Sequence, residues 1–268
     1  MDATPSGAVR LHWREAGRGP QAVLFVHAFP FDGRLWDEQL ARLPRRWRLI
    51  APDLRGFGAS EPGDADPFSM DLLADDLAAL LERLDVPRAA ICGLSMGGYV
   101  ALALWRRHPE RVRALALCDT RAAADSEEAR RARFALIERI EREGAAAAAD
   151  ALLPRLVAER TRRERPELVD RLRAIILEQP PDTLVRALRG MADRPDSTPL
   201  LPGISVPTLV VRGAEDALVA PEETEAMARA IPDARLMTIP GTGHLPNVED
   251  PAAFDRVLVH FLEAVEGH

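Results

Sequence analysis

Short apolar runs alternate with helical patterns over the first 120 residues. Four runs lack polar alternation and predict buried strands: Val23–Val26, Arg48–Pro52, Ala89–Cys92 and Val112–Cys118. Three amphipathic stretches predict helices: Leu35–Leu43, Met70–Leu84 and Met96–His108. A further strand is expected at Val9–Trp13. Strands that are apolar on both faces and separated by helices indicate a parallel sheet with helices packed on each side.

The pattern changes near residue 121. From there to residue 200 the chain is rich in Arg, Glu and Ala and helical in period, without a convincing strand. After Pro202 the alternation returns, with strands at Thr208–Val211 and Leu236–Ile239 and helices at Pro221–Ala230 and Pro251–Leu262. An insertion of roughly 80 residues is too long for an ordinary connection. We therefore expect one α/β core, residues 1–120 and 201–268, interrupted by a helical segment at 121–200.

Composition narrows the class of protein. The chain has 268 residues, 47% of them apolar, and a formal net charge of -7, which argues against a nucleic-acid partner or an anionic membrane. No apolar run is long enough to span a bilayer, and the N-terminus lacks the apolar region of a signal peptide, so a cytoplasmic location is expected. The two cysteines, Cys92 and Cys118, are predicted to be buried free thiols, and no metal-binding spacing accompanies them.

The most informative chemistry lies at Gly93-Leu94-Ser95-Met96-Gly97. This Gly-x-Ser-x-Gly pattern falls between a predicted strand and a predicted helix, the context in which a sharp turn presents a nucleophilic serine. A Cβ at either glycine would collide with neighbouring backbone in so tight a turn. The turn also places Ser95 at a helix N-terminus, which favours developing negative charge.

A serine hydroxyl needs a base, most often a histidine oriented by a carboxylate. His244 follows a predicted strand in a Gly-Thr-Gly-His turn and is C-terminal to the other candidates, which matches the chain order Ser…Asp…His. Asp216 is the preferred acid because it follows the strand Thr208–Val211. Asp119 is its rival after the strand ending at Cys118.

One further acid and five further histidines are set aside. Glu215 is a weaker acid because its neighbour fits the turn better. The other histidines are expected to be structural or solvated: His12, His27, His108, His260 and His268.

The oxyanion formed during attack needs two preorganised donors. The N–H of Met96, directly after the nucleophile, is one candidate, and the N–H of Phe29, in the loop after an early strand, is the other. Apolar residues flank these groups and are expected to line a substrate pocket together with Phe29 and Met96: Phe31, Leu218, Val219 and Leu245.

With these residues in place, the sequence resembles the α/β-hydrolase superfamily over almost its whole length. The matching segments are 27–30, 53–60, 93–98, 213–216 and 241–244. The resemblance implies an eight-stranded, mostly parallel sheet flanked by helices, with a helical cap, residues 121–200, between strands six and seven. The first segment usually reads His-Gly and here reads His27-Ala28, which is acceptable unless the backbone needs positive φ. Ser95 excludes the branches that resemble this fold but carry aspartate at the turn, the haloalkane dehalogenases and epoxide hydrolases.

Within the superfamily the chain is similar to small carboxylesterases and enol-lactone hydrolases. We therefore expect a serine hydrolase that cleaves carboxylic esters of small to medium acyl chains through an acyl-enzyme, without metal or organic cofactor. A lactonase or enol-lactonase, a perhydrolase and a carbon–carbon bond hydrolase would use the same triad and remain alternatives. An anionic substrate would require arginine in the pocket, and the helical segment offers many. A small-ligand receptor that retains the triad is a more distant alternative, and the oligomeric state is left open.

Overall fold

The computed structural model describes residues 9–266 and has a sheet of seven strands within that range. The strands, in chain order, are β1 (Trp13–Ala16), β2 (Gln21–Val26), β3 (Trp47–Pro52), β4 (Ala89–Leu94), β5 (Val112–Cys118), β6 (Thr208–Gly213) and β7 (Ala234–Ile239). Their order in the sheet is β1-β3-β2-β4-β5-β6-β7. β1 pairs antiparallel with β3, and every other neighbouring pair is parallel.

Helices connect the strands and cover the sheet. They are α1 (Asp37–Arg42), α2 (Met70–Arg83), α3 (Met96–Arg107), α4 (Glu127–Glu143), α5 (Ala145–Leu156), α6 (Glu159–Glu164), α7 (Pro166–Leu177), α8 (Pro181–Ala192), α9 (Pro221–Ala230), α10 (Pro246–Glu249) and α11 (Pro251–Ala264). β4 and β5 are buried along their whole length, which explains why these strands show no polar alternation. The α/β class is therefore confirmed.

Three predicted details are corrected. Seven strands replace the expected eight among residues 9–266, and the strand expected at Val9–Trp13 begins only at Trp13, the first residue of β1. The backbone there bonds to a loop instead of a strand: Asp53 N–H donates to the His12 carbonyl, and Glu61 N–H to the Arg10 carbonyl. The helix predicted at Leu35–Leu43 divides into a 3-10 turn at Gly33–Trp36 followed by α1.

Five helices, α4 to α8, lie between β5 and β6 and pack on one another, α4 against both α5 and α8. Polar contacts attach them to the rest of the molecule. Gln179 donates to Asp32 at 2.8 Å and accepts from Gly58 N–H at 2.9 Å, and Glu249 accepts from Ala158 N–H at 2.9 Å. No helix in the described part of the chain is long and apolar enough to cross a membrane.

Candidate active site

Ser95 occupies a sharp turn between β4 and α3. Its backbone is in the left-handed region, with φ 55° and ψ -112°, a strained conformation for a residue with a side chain. The flanking glycines make the turn possible. A Cβ on Gly93 would lie 2.3 Å from the Gly97 carbonyl oxygen, and one on Gly97 would lie 2.1 Å from the Val26 carbonyl oxygen. The predicted role of both glycines follows from these distances.

Hydrogen bonds with Cys118 at the end of β5 and with Thr120 just after it hold this turn in place. Ser95 N–H donates to the Cys118 carbonyl at 2.9 Å, and the Thr120 hydroxyl donates to the Ser95 carbonyl at 2.8 Å. Thr120 also packs where a Cβ on Gly98 would fall, 2.4 Å from its hydroxyl oxygen. The strained backbone is therefore fixed from the neighbouring strand.

His244 and Asp216 meet across two loops. His244 Nδ1 lies 2.8 Å from Asp216 Oδ2, and both side chains are buried. The other carboxylate oxygen, Oδ1, accepts from the N–H groups of Leu218 at 2.8 Å and Val219 at 3.2 Å. Burial raises the pKa of Asp216, but its interaction with His244 and the hydrogen bond from Leu218 N–H contribute to a net shift that is downward. Because an ionised carboxylate only accepts, Nδ1 carries the proton of the neutral His244 ring, and Nε2 then keeps a lone pair.

Asp119, the rival acid, also reaches this corner. It is fully buried, has φ 44°, and accepts from Gly213 N–H at 2.7 Å. Among the described residues, the ligand atoms of Asp119, Asp216 and His244 lie within 4.8 Å of one another. His244 Nδ1 already makes the hydrogen bond with Asp216. The arrangement of these three residues therefore suits proton transfer through His244 better than metal binding. Glu215 is exposed.

The two proposed oxyanion donors come from two segments, the first residue of α3 and the loop after β2. Met96 is the first residue of α3, where a backbone N–H has no intrahelical acceptor. Phe29 follows β2 in a loop held by His27, whose Nδ1 lies 3.1 Å from the Ala28 carbonyl and whose Nε2 accepts from Leu54 N–H at 3.0 Å. Burial lowers the pKa of His27, which agrees with a neutral ring that braces the loop. Ala28 is not among the described residues with positive φ, so its Cβ is tolerated.

Ser95 and His244 face the same cavity, of about 100 Å³. Its lining also includes Phe29, Leu218 and Val219. The Ser95 hydroxyl makes no hydrogen bond within residues 9–266. What connects Ser95 with His244 is the cavity that both residues line. Hydrogen bonds between a nucleophile and its base are often long before substrate binds.

Three expected pocket residues are corrected: Phe31, Met96 and Leu245 do not line the cavity. All three are fully buried in the apolar core, so ordinary packing accounts for their apolar side chains.

The remaining histidines of the described residues and the two cysteines do not line the cavity. His12 contacts Asp53, His108 contacts Asp75, and His260 lies on α11, while His268 is outside the described residues. Cys92 and Cys118 are buried free thiols, 3.9 Å apart at sulfur, as predicted.

Three polar residues of the cavity were missed as site residues: Tyr99, Arg121 and Arg133. Tyr99 had a usable signal, because it lies four residues after Ser95 and so on the same face of α3. Nothing in the sequence pointed to Arg133, because α4 reaches the cavity only through its packing on α5 and α8.

A wider cavity of about 580 Å³ adjoins the first and shares Phe29, Arg121, Arg133, Leu152 and Leu218 with it, so the site opens between α4 and α5.

The fold agrees with comparisons to known proteins. The family model described as the alpha/beta hydrolase fold matches residues 21–251. A thermophilic esterase from Thermogutta terrifontis with malate bound is 44% identical, with a TM-score of 0.93, over 98% of this chain and 96% of that one. An enol-lactonase from Burkholderia xenovorans is 31% identical, with a TM-score of 0.89, over 95% and 97%. A pimeloyl-[acyl-carrier protein] methyl ester esterase from Neisseria meningitidis is 31% identical over 94% and 98%.

The chain belongs to the alpha/beta-hydrolase-fold family. It is an enzyme that hydrolyses ester bonds, in agreement with the expectation from the sequence.

Proposed function

We propose that the protein is a serine carboxylesterase in which Ser95, His244 and Asp216 form the catalytic triad. The observation that carries the proposal is the 2.8 Å contact from Asp216 to His244 Nδ1, which leaves Nε2 free in the cavity that Ser95 also lines. His244 accepts the Ser95 proton as the hydroxyl oxygen attacks the acyl carbonyl. Asp216 keeps the ring in the required tautomer and stabilises the imidazolium.

The N–H groups of Phe29 and Met96 hold the oxyanion of the tetrahedral intermediate. Removal of one such donor in other enzymes costs about 10²–10³ in kcat, so the loop after β2 is a principal determinant of rate. The alcohol leaves with the proton from His244, and water then repeats the attack on the acyl-enzyme. Neither step requires a metal or an organic cofactor.

The helical segment 121–200 acts as a cap in this proposal. Arg133, Leu152, Leu156 and Met191 lie on α4, α5 and α8 and line the cavity beside Ser95. These side chains close the cavity on the side opposite the sheet and limit the acyl chain that fits. The cavity of about 100 Å³ beside Ser95 suits a short acyl group, and its opening into the wider cavity of about 580 Å³ leaves room for a medium chain.

A panel of p-nitrophenyl esters and lactones, assayed with the wild type and Ser95→Ala in parallel, tests the proposal. Ser95→Ala should lower kcat by about 10⁴–10⁶ while leaving the thermal unfolding temperature within a few degrees. Equal turnover by both proteins would reject the triad. Faster turnover of lactones than of every ester would favour the lactonase alternative.

A second candidate, hydrolysis of esters or lactones whose acyl part carries a carboxylate, is favoured by arginines at the cavity. Arg133 and the buried Arg194 share one carboxylate, that of Asp125, so this trio has a net positive charge. The Arg194 guanidinium stacks 4.1 Å from the Tyr99 ring, which faces the cavity. Malate in the Thermogutta terrifontis esterase and the enol-lactonase relatives support an anionic substrate.

Matched esters distinguish this candidate. Arg133→Gln should raise KM for mono-p-nitrophenyl succinate about tenfold or more and leave KM for p-nitrophenyl butyrate within about twofold, because only the former presents a charge. Arg139→Gln is the matched control, since Arg139 is on the same helix but lines only the wider, open cavity. Equal effects on both esters would reject the candidate and leave the esterase proposal standing.

A further inference from the structure

Asp119 is a buried carboxyl group that the proposed mechanism does not use. It directly follows β5 and is fully inaccessible to solvent. Its Oδ1 accepts from Gly213 N–H at 2.7 Å, at the end of β6. One oxygen of this carboxyl group therefore has an ordinary structural partner.

The other oxygen does not. Asp119 Oδ2 is buried, and no donor reaches it within residues 9–266. The carboxyl group of Asp216, which is an acceptor when ionised, lies within 4.8 Å of the Asp119 carboxyl group. Two ionised carboxylates this close in a dry site would repel each other and leave Oδ2 without a partner, which is costly. A proton between the two groups removes both costs.

The hydrogen bonds indicate which group carries that proton. Asp216 accepts from Leu218 N–H, Val219 N–H and His244 Nδ1–H, three donors that favour its ionised form. From the described residues Asp119 accepts one hydrogen bond, from Gly213 N–H. The proton therefore belongs on Asp119, where Oδ2–H becomes the donor that the pair lacks.

The electrostatic surroundings agree. Burial, and next the charge of Asp216, raise the pKa of Asp119 well above its ordinary value. The other titratable groups that face it are His244 and Cys118. The hydrogen bond with Cys92 and burial raise the pKa of Cys118, so its thiol stays uncharged.

We propose that Asp119 is an uncharged positioning residue that donates a hydrogen bond to the Asp216 carboxylate and can replace it as the negative partner of His244. The inference rests on the proposed function, in which Asp216 orients His244. If Asp216 loses its charge, one of the two main causes that keep Asp119 protonated disappears and only burial remains. Asp119 then ionises at a lower pH than in the wild type, and its carboxylate lies within 4.8 Å of the imidazole.

Unfolding at several pH values tests the charge state without any assay of activity. The Asp119→Asn side chain keeps an N–H donor for Asp216 and a carbonyl acceptor for Gly213 but needs no proton. In the wild type, unfolding above about pH 4 releases the Asp119 proton, so stability falls as the pH rises. The unfolding constant of the wild type, relative to that of Asp119→Asn, should rise with pH above about pH 4, by up to about tenfold per pH unit until Asp119 ionises in the folded protein. A ratio that does not change with pH would overturn the proposal.

Double mutants test the replacement of Asp216. On a p-nitrophenyl ester, Asp216→Asn combined with Asp119→Asn should be at least about tenfold less active than Asp216→Asn alone. The activity of Asp216→Asn should also rise with pH as Asp119 ionises. Equal activity of the single and double variants would overturn the replacement role.

A comparison of two folded Asp119 variants separates the positioning role from a loss of folding. Asp119→Ala should have a kcat about tenfold below that of Asp119→Asn, because the alanine offers Asp216 no donor. Equal kcat values in these two variants, each folded by circular dichroism, would contradict the positioning role. Absence of ester hydrolysis in the wild type would overturn the proposed function instead, and the unfolding test would still decide the charge of Asp119.

Discussion

Gly97→Ala should separate the two halves of the proposed oxyanion hole. The added Cβ would lie 2.1 Å from the carbonyl oxygen of Val26 and 3.0 Å from that of His27. Both obstacles are backbone atoms, so no side chain can rotate away. To reach a 3.0 Å contact with Val26, α3 and the end of β2 must move apart by about 0.9 Å. A misplacement of about 1 Å at a reacting centre can cost about 10²-fold in rate.

We therefore expect kcat of Gly97→Ala to fall about 10²-fold on a p-nitrophenyl ester, with a stability loss of about 1–3 kcal/mol from overpacking. Gly203→Ala is the matched control, because no atom lies within 4 Å of its added Cβ and its φ is not positive. The measurements are saturating steady-state rates and urea unfolding. A kcat within twofold of the wild type, at unchanged stability, would refute the reasoning from the close approach at Gly97.

Two further variants test the charges of the site. Asp216→Asn should lower kcat by about 10⁴, because an amide can favour the wrong His244 tautomer; full activity there, with loss in Asp119→Asn, would transfer the acid role to Asp119. Asp125→Asn removes the carboxylate shared by Arg133 and Arg194 and should cost about 3–5 kcal/mol at pH 7 by urea unfolding. Burial opposes ionisation of Asp125, but hydrogen bonds from Arg133 and Arg194 leave its pKa lowered, so this stability gap should shrink as the pH falls below about 4; a gap independent of pH would contradict the ion-pair account.

The strands of the sheet were predictable because burial on both faces leaves a continuous apolar run. β4 and β5 follow that rule along their whole length, and the boundaries differ from those predicted by at most two residues. The pattern failed at residues 9–12, just before β1, where the residues are strand-like but the backbone bonds to the loop at 53–61. The local pattern of apolar residues indicates which segments can form a strand. It does not indicate which backbone segment will pair with them.

The proximity of Asp216 to His244 was predictable for a topological reason. Both follow adjacent parallel strands, β6 and β7, so the loops that carry them meet at one edge of the sheet. The cavity lining was harder to predict, because it depends on how α4, α5 and α8 pack over that edge. Phe31 and Leu218 are both apolar and close in sequence to proposed site residues, yet Phe31 is in the core and Leu218 faces the cavity.

Covalent labelling of Ser95 tests the central claim most directly. A fluorophosphonate should add one phosphonyl group per chain, and peptide mass spectrometry should find it on Ser95, with labelling at least about 10³-fold slower in His244→Gln. Hydrolysis of the ester should stop in proportion to the labelled fraction. Full esterase activity in protein labelled at Ser95, or labelling at another serine that abolishes activity, would contradict the account.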